Sequence, residues 1–346
     1  MQRRVPARRN GSQIPTSRQR LFFAARIVVW LAALACVIVF ARRLDWDQVF
    51  RSFAGADLRL ALIATLVGLP CTALQGLRWS SLVSAVQKVP RRTAIAAMYV
   101  GQAASALLPM RAGEAVRMEL MARATGMGRA AATGTVALDH AINGLVMFVF
   151  AAALPALLPV PRWMTVLLWW GIAVMIALIG LLFWLAEHPE AHPPGRIAGL
   201  VSRMRTGLKA ARNPGAVAQA AAFSVLAWMV EIAVAMLALA AFRLPHDVAH
   251  AMGVLFGVNL ALALPSPPAA LGNFELGAGF ALAAFGGQKE HAAAFALGYH
   301  ALQLIPTLIL GGLMLPLARK RPPAGLPPQD GLLARSLKPE AGGAGP

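Results

Sequence analysis

Arg111, Glu114 and Arg117 stand at i, i+3 and i+6 around Gly113, within LLPMRAGEAVR (107–117). Arginine carries a planar fork that matches phosphate or carboxylate geometry. Gly113 lets backbone approach a ligand closely, and a half-helix beginning there adds partial positive charge. The group is suited to clamp an anion; it is equally suited to form a self-satisfied Arg–Glu pair. A second stretch, LPSPPAALGNFE (264–275), repeats the order proline, glycine, glutamate with Gly272 and Glu275. Glu275 suits three roles: proton carrier, contact to a cationic group, or salt bridge to Arg111 or Arg117.

Other polar residues recur at helical spacing. Thr135, Asp139 and Asn143 fall at i, i+4 and i+8, and His300, Gln303 and Thr307 at i, i+3 and i+7. Ser224, Trp228 and Glu231 share one helical face, as do Thr65, Gly68, Thr72, Gln75 and Trp79. Each charge at a membrane-helix centre costs about 2.5–3.5 kcal/mol on insertion scales, so Asp139 and Glu231 should face protein rather than lipid. Adjacent Asp139 and His140 should point to different faces, so no catalytic pair is expected. His188 and His192, with Glu187 and Glu190 nearby, lack a third ligand and carry proline interruptions, so no metal or other cofactor is expected. Cys36 and Cys71 lie in apolar runs and read as small buried thiols. No nucleophile motif or phosphate-binding glycine loop is present, and an enzyme is not expected.

The elements that must hold these residues are membrane helices. The chain has 346 residues, 58% hydrophobic and only 13% charged, against roughly 45–50% and 25% in soluble domains. Apolar stretches long enough to cross a bilayer occupy 21–41, 58–77, 131–158, 164–186, 216–242 and 291–317. Two shorter stretches, 94–109 and 248–264, each run into a Pro/Gly segment and a second short helix, 112–126 and 274–286. These read as re-entrant hairpins. The fold class is all-α, a polytopic membrane protein with about six full spans and two such hairpins.

The formal charge of +18 invites a nucleic-acid reading. Its placement argues otherwise. With both termini cytoplasmic, most of the Lys and Arg gather in the inner loops, as the positive-inside rule requires. Segment 196–212 places Ile197, Leu200, Val201, Met204 and Leu208 at helical spacing among basic residues, which predicts an interfacial helix. Residues 1–20 read as a basic cytoplasmic tail and 318–346 as a disordered one. Between them, 21–158 (re-entrant 94–126) and 159–317 (re-entrant 248–286) show the same order of elements, an inverted repeat. Broken segments of this kind mark substrate sites near mid-membrane.

At these residues the chain resembles the lysylphosphatidylglycerol synthase transmembrane family, also called flippase-like. Pro109, Arg111, Gly113, Glu114 and Arg117 match its P-x-R-A-G-E-x-x-R pattern. Pro268, Leu271, Gly272 and Glu275 are similar to its P-G-G-L-G-x-x-E, with Ala269 and Ala270 in place of the paired glycines. Asp139, His140 and Asn143 stand where the family commonly has Glu-Arg-x-x-Asp. The resemblance implies a multi-pass protein of a bacterial-type inner membrane that moves, or helps move, an amphipathic lipid or lipid-linked headgroup between leaflets. Arg111, Gly113, Glu114, Arg117, Gly272 and Glu275 would contact the headgroup, with Asp139, Asn143, Glu231, His300 and Gln303 as intramembrane polar or coupling groups. The alternative is a membrane enzyme or an accessory protein of a lipid, polyprenyl-glycan or hopanoid pathway. Implied partners are membrane lipids, with a second copy or a lipid-synthesis protein also open.

Overall fold

The computed structural model describes residues 42, 44–108, 112–157, 162–187, 204–264 and 267–319, and from Leu44 onward these form one compact unit. Every regular element among them is a helix. The longer ones are α1 (Trp46–Ala54), α2 (Leu58–Ser84), α3 (Arg91–Leu107), α4 (Gly113–Thr125), α5 (Arg129–Ala151), α6 (Arg162–Glu187), α7 (Pro214–Ala241), α8 (Val248–Leu262), α9 (Asn273–Ala284) and α10 (Lys289–Ala318). Five of them, α2, α5 (run on to Leu157), α6, α7 and α10, are long and apolar enough to cross a membrane. The expected span 21–41 and both expected tails lie outside the described residues, apart from Ala318 and Arg319 of the second.

Local chemistry starts the central helices. Asp57 accepts from the amides of Arg59 and Leu60 and caps α2. Asn213 accepts from Ala216 N, with Pro214 in the first turn, and caps α7. Both satisfy amides that helix geometry leaves orphaned. The two helices run antiparallel against each other as the principal packed pair, and Asp57 N donates to Ala241 O at 2.8 Å where the start of one meets the end of the other. Gly68 faces Val234 there, the small-residue contact that lets membrane helices approach.

Each short stretch is a helical hairpin. α3 folds against α4 with Gly113 pressed to Gly101: a Cβ on Gly113 would lie 1.9 Å from Gly101 O. α8 folds against α9 with Gly257 and Gly277 face to face: a Cβ on either would lie 2.6 Å from the other's carbonyl oxygen. The turn into α9 is unusual. Ala269 and Ala270 both sit at φ +56°, and Gly272 at +86°. Left-handed backbone costs an L-residue roughly 1–2 kcal/mol, so the two alanines hold strain that glycine would not.

α6 shows how the outer surface is built. Trp169, Trp170, Ile176 and Leu181 are at least half exposed, which suits lipid and not water. The expected interfacial helix is corrected in its second half. Leu208 is buried, and Gly207 lies so close to α5 that a Cβ would stand 1.9 Å from Ala131 O, so this part docks on protein. Ile197, Leu200 and Val201 lie outside the described residues.

Candidate functional site

The polar residues expected to converge on one site form three assemblies. The first is an ionic cluster with a buried centre between α2, α4, α5 and α7. Arg78 of α2 donates from Nε to Asp139 Oδ1 at 2.7 Å and from Nη2 to Oδ2 at 3.3 Å. It also donates to Asn143 Oδ1, which accepts in addition from Ser224 Oγ at 3.1 Å and Trp228 Nε1 at 3.2 Å. Arg117 of α4 donates from Nε to Glu114 at 2.6 Å and from Nη1 to Asp139 Oδ2 at 3.3 Å. Its guanidinium lies 4.8 Å from the Trp79 ring centroid, a cation–π contact, and Trp79 Nε1 in turn donates to Thr135. Two guanidinium groups and two carboxylates balance. Asp139 is fully buried, and Arg78 and Arg117 nearly so, which is tolerable only because the charges pair.

The second assembly fixes the turn into α9. Glu275 Oε2 accepts from Gly272 N at 2.7 Å, and Oε1 lies 2.6 Å from His300 Nδ1 on α10. His300 stacks on Phe274 at 4.3 Å between ring centroids. The first cluster contains the same pairing: Glu114, in the first turn of α4, lies 3.2 Å from His140 of α5. In each half, a glutamate opening the second hairpin helix reaches a histidine on the next long helix.

The third assembly is open. A cavity of about 130 Å³ lies halfway along α2, α3, α7 and α10, lined by Thr65, Thr72, Gln75, Gln102, Gln303 and Glu231 among others. Glu231 is the one charged side chain among the described lining residues. A chain of contacts crosses it: Gln102 Nε2 donates to Gln75 at 2.8 Å, Gln75 Nε2 reaches Cys71 Sγ at 3.6 Å, and Cys71 Sγ donates to Glu231 Oε1 at 3.0 Å.

Arg111 lies outside the described residues. Glu114, Arg117, Asp139 and Asn143 share the ionic cluster; Gly272, Glu275 and His300 share the second assembly; Glu231 and Gln303 line the cavity. Gly113 serves the α3–α4 crossing. One expectation is corrected. Glu275 pairs with His300 and not with Arg117, whose guanidinium is turned onto Asp139 and Glu114. α5 does not line the cavity, since its polar face is spent on the ionic cluster; α3 contributes Tyr99 and Gln102 to the lining. Cys71 is buried, as expected, and also donates to Glu231. His140 and Asp139 do point apart, one half-exposed and one buried, yet Arg117 contacts both. Sequence pattern does not single out Arg78, because at the end of an apolar run it reads as a loop charge. The signal lay in its register, three residues after Gln75 and seven after Cys71 on one helical face.

A comparison with the curated proteins finds no match. The family model for the lysylphosphatidylglycerol synthase transmembrane region matches residues 23–311. With five membrane-length helices among its described residues, buried charge and a polar hollow, and with that match across most of its length, this chain belongs to the lysylphosphatidylglycerol synthase transmembrane-region family and is a multi-pass membrane protein.

Proposed function

We propose that the protein translocates an amphipathic lipid, or a lipid-linked headgroup, between leaflets. The headgroup passes through the cavity that holds Glu231 while the hydrocarbon tail stays in the bilayer. The cavity carries this reading: a polar hollow midway along apolar helices is expensive unless it serves a polar substrate. It is built from both halves of the chain, α2 and α3 with α7 and α10, as in transporters made of internal repeats. The hollow between α5, α7 and α8 offers a contrast. Lined by Met147, Phe150, Trp228 and Phe256, it measures only about 10 Å³. If the halves are inverted repeats, these are corresponding places, one open and one shut, and rocking of the halves exchanges them.

The test is reconstitution into vesicles with a headgroup-labelled fluorescent phospholipid, followed by quenching from outside. Wild-type protein should accelerate translocation. Glu231→Gln should slow it about tenfold or more, equivalent to about 1.4 kcal/mol of barrier. Vesicles that translocate no faster than protein-free ones would remove the reading. A new covalent product from the labelled lipid would replace it with a membrane enzyme.

A further inference from the structure

A second pocket lies at the far end of the bundle from the polar cavity's mid-depth, where α1, the end of α7 and the start of α10 meet. It measures about 310 Å³ and is lined by Gln48, Arg51, Ser52, Gly55, Phe242, Arg243 and His291. Three of these seven are basic or can become so. Neither Arg51 nor Arg243 has an ion-pair partner among the described residues, and both are exposed. Asp47, four residues before Arg51, and Asp247, four residues after Arg243, form no ion pair with either guanidinium, and Glu290, beside His291, is turned inward with Lys289 Nζ 3.4 Å from its Oε1. The pocket therefore carries two guanidinium groups and no carboxylate among its lining residues, with amide and hydroxyl donors beside them.

The helix that forms its wall is built for a membrane boundary. α1 is capped by Asp45, which accepts from Asp47 N and Gln48 N. One side presents Gln48, Arg51 and Ser52 to the pocket. Another presents Trp46 and Phe50, 43% and 65% exposed, with ring centroids 6.3 Å apart. Phe53 anchors the helix on Phe242 at 5.6 Å. Exposed aromatic rings beside a basic cleft are what the headgroup level of a bilayer accommodates. Arg243 is held in the left-handed region at φ +56°, a conformation disfavoured for arginine.

We infer that this pocket binds the phosphate headgroup of an anionic phospholipid, with its acyl chains lying along Trp46 and Phe50. Arg51 and Arg243 supply the guanidinium forks, His291 and Ser52 add donors, and the apolar side of α1 receives the tail. On the orientation that the loop charges favour, the lipid belongs to the outer leaflet. The site is distinct from the Glu231 cavity and stands whether or not that cavity carries a substrate.

The full-length protein in detergent, titrated with dioleoylphosphatidylglycerol and read by native mass spectrometry, tests this. Wild-type protein should bind the first lipid molecule saturably and in preference to dioleoylphosphatidylcholine. Arg51→Ala and Arg243→Gly should each weaken that binding about tenfold, while Arg59→Ala, at the same end but outside the pocket, should not. Arg243→Gly removes the charge and relieves the backbone, so its thermal midpoint should not fall below the wild-type value, which separates lost binding from lost folding. Equal binding of the choline lipid, unchanged binding by both variants, or full displacement by an equal concentration of inorganic phosphate would overturn the assignment. The last result would make the pocket a free-anion site.

Discussion

Asp139 is the residue on which the ionic cluster turns, because it alone takes bonds from both Arg78 and Arg117. Replacing it removes one negative charge from between two buried cations. Breaking a buried pair from one side costs about 3–5 kcal/mol, so Asp139→Asn should lower the thermal midpoint of the purified protein markedly. Arg78→Met combined with Asp139→Leu should lower it less than Asp139→Asn. A midpoint unmoved by Asp139→Asn would show that the cluster contributes nothing to stability. At this scale the sequence was legible in part. Spacing alone put Asp139 and Asn143 on one inward face of a helix. It did not name their partners, since Arg78 comes from a helix 61 positions earlier and nothing local announces that contact. His300 was likewise placed inward without its partner, Glu275.

Elements were more legible than contacts, because apolar length and Pro/Gly punctuation are properties of continuous segments. Spans 58–77, 216–242 and 291–317 appear as helices at 58–84, 214–241 and 289–318, longer mainly at polar ends that hydropathy undercounts. The two hairpins fall where proline and glycine interrupt the apolar runs. The glycines at their crossings make a prediction about elements. Gly113→Ala and Gly277→Ala should each destabilise the protein, because Gly101 O and Gly257 O occupy the space of the added methyl; a melting profile equal to wild type would refute the close packing. The turn into α9 predicts the opposite sign. Ala269→Gly or Ala270→Gly should raise stability by about 1 kcal/mol each by relieving left-handed strain. At the basic end of α4, hydrogen bonds from Arg129 and Arg123 hold the Glu119 carboxyl down to about 2, against about 4.3 for a free glutamate. A depressed folded-state value means stability that is present above about pH 4.3 and lost as pH falls toward 2. Glu119→Gln should therefore differ from wild type at neutral pH, with the difference vanishing in acid; a constant gap across that range would deny the link between α4 and α5.

For the whole molecule, the sequence reading anticipated one mid-membrane site, and the fold divides those residues among three places. In two of them the side chains are taken up by contacts with one another. The third is a hollow with a single carboxylate in it, enclosed by helices from both halves. Hydropathy cannot distinguish a polar residue that pairs across a tight interface from one that borders empty space, so the division was invisible before folding. The account rests on that hollow being a passage. Gly68 lines it, whereas Gly180 on α6 faces open space. The decisive measurement is the rate of fluorescent phospholipid translocation in vesicles holding Gly68→Trp or Gly180→Trp protein at equal, folded amounts. Filling the hollow through Gly68→Trp should reduce the rate to that of protein-free vesicles, while Gly180→Trp should leave it as in wild type. Translocation at the wild-type rate with the hollow filled would contradict the account.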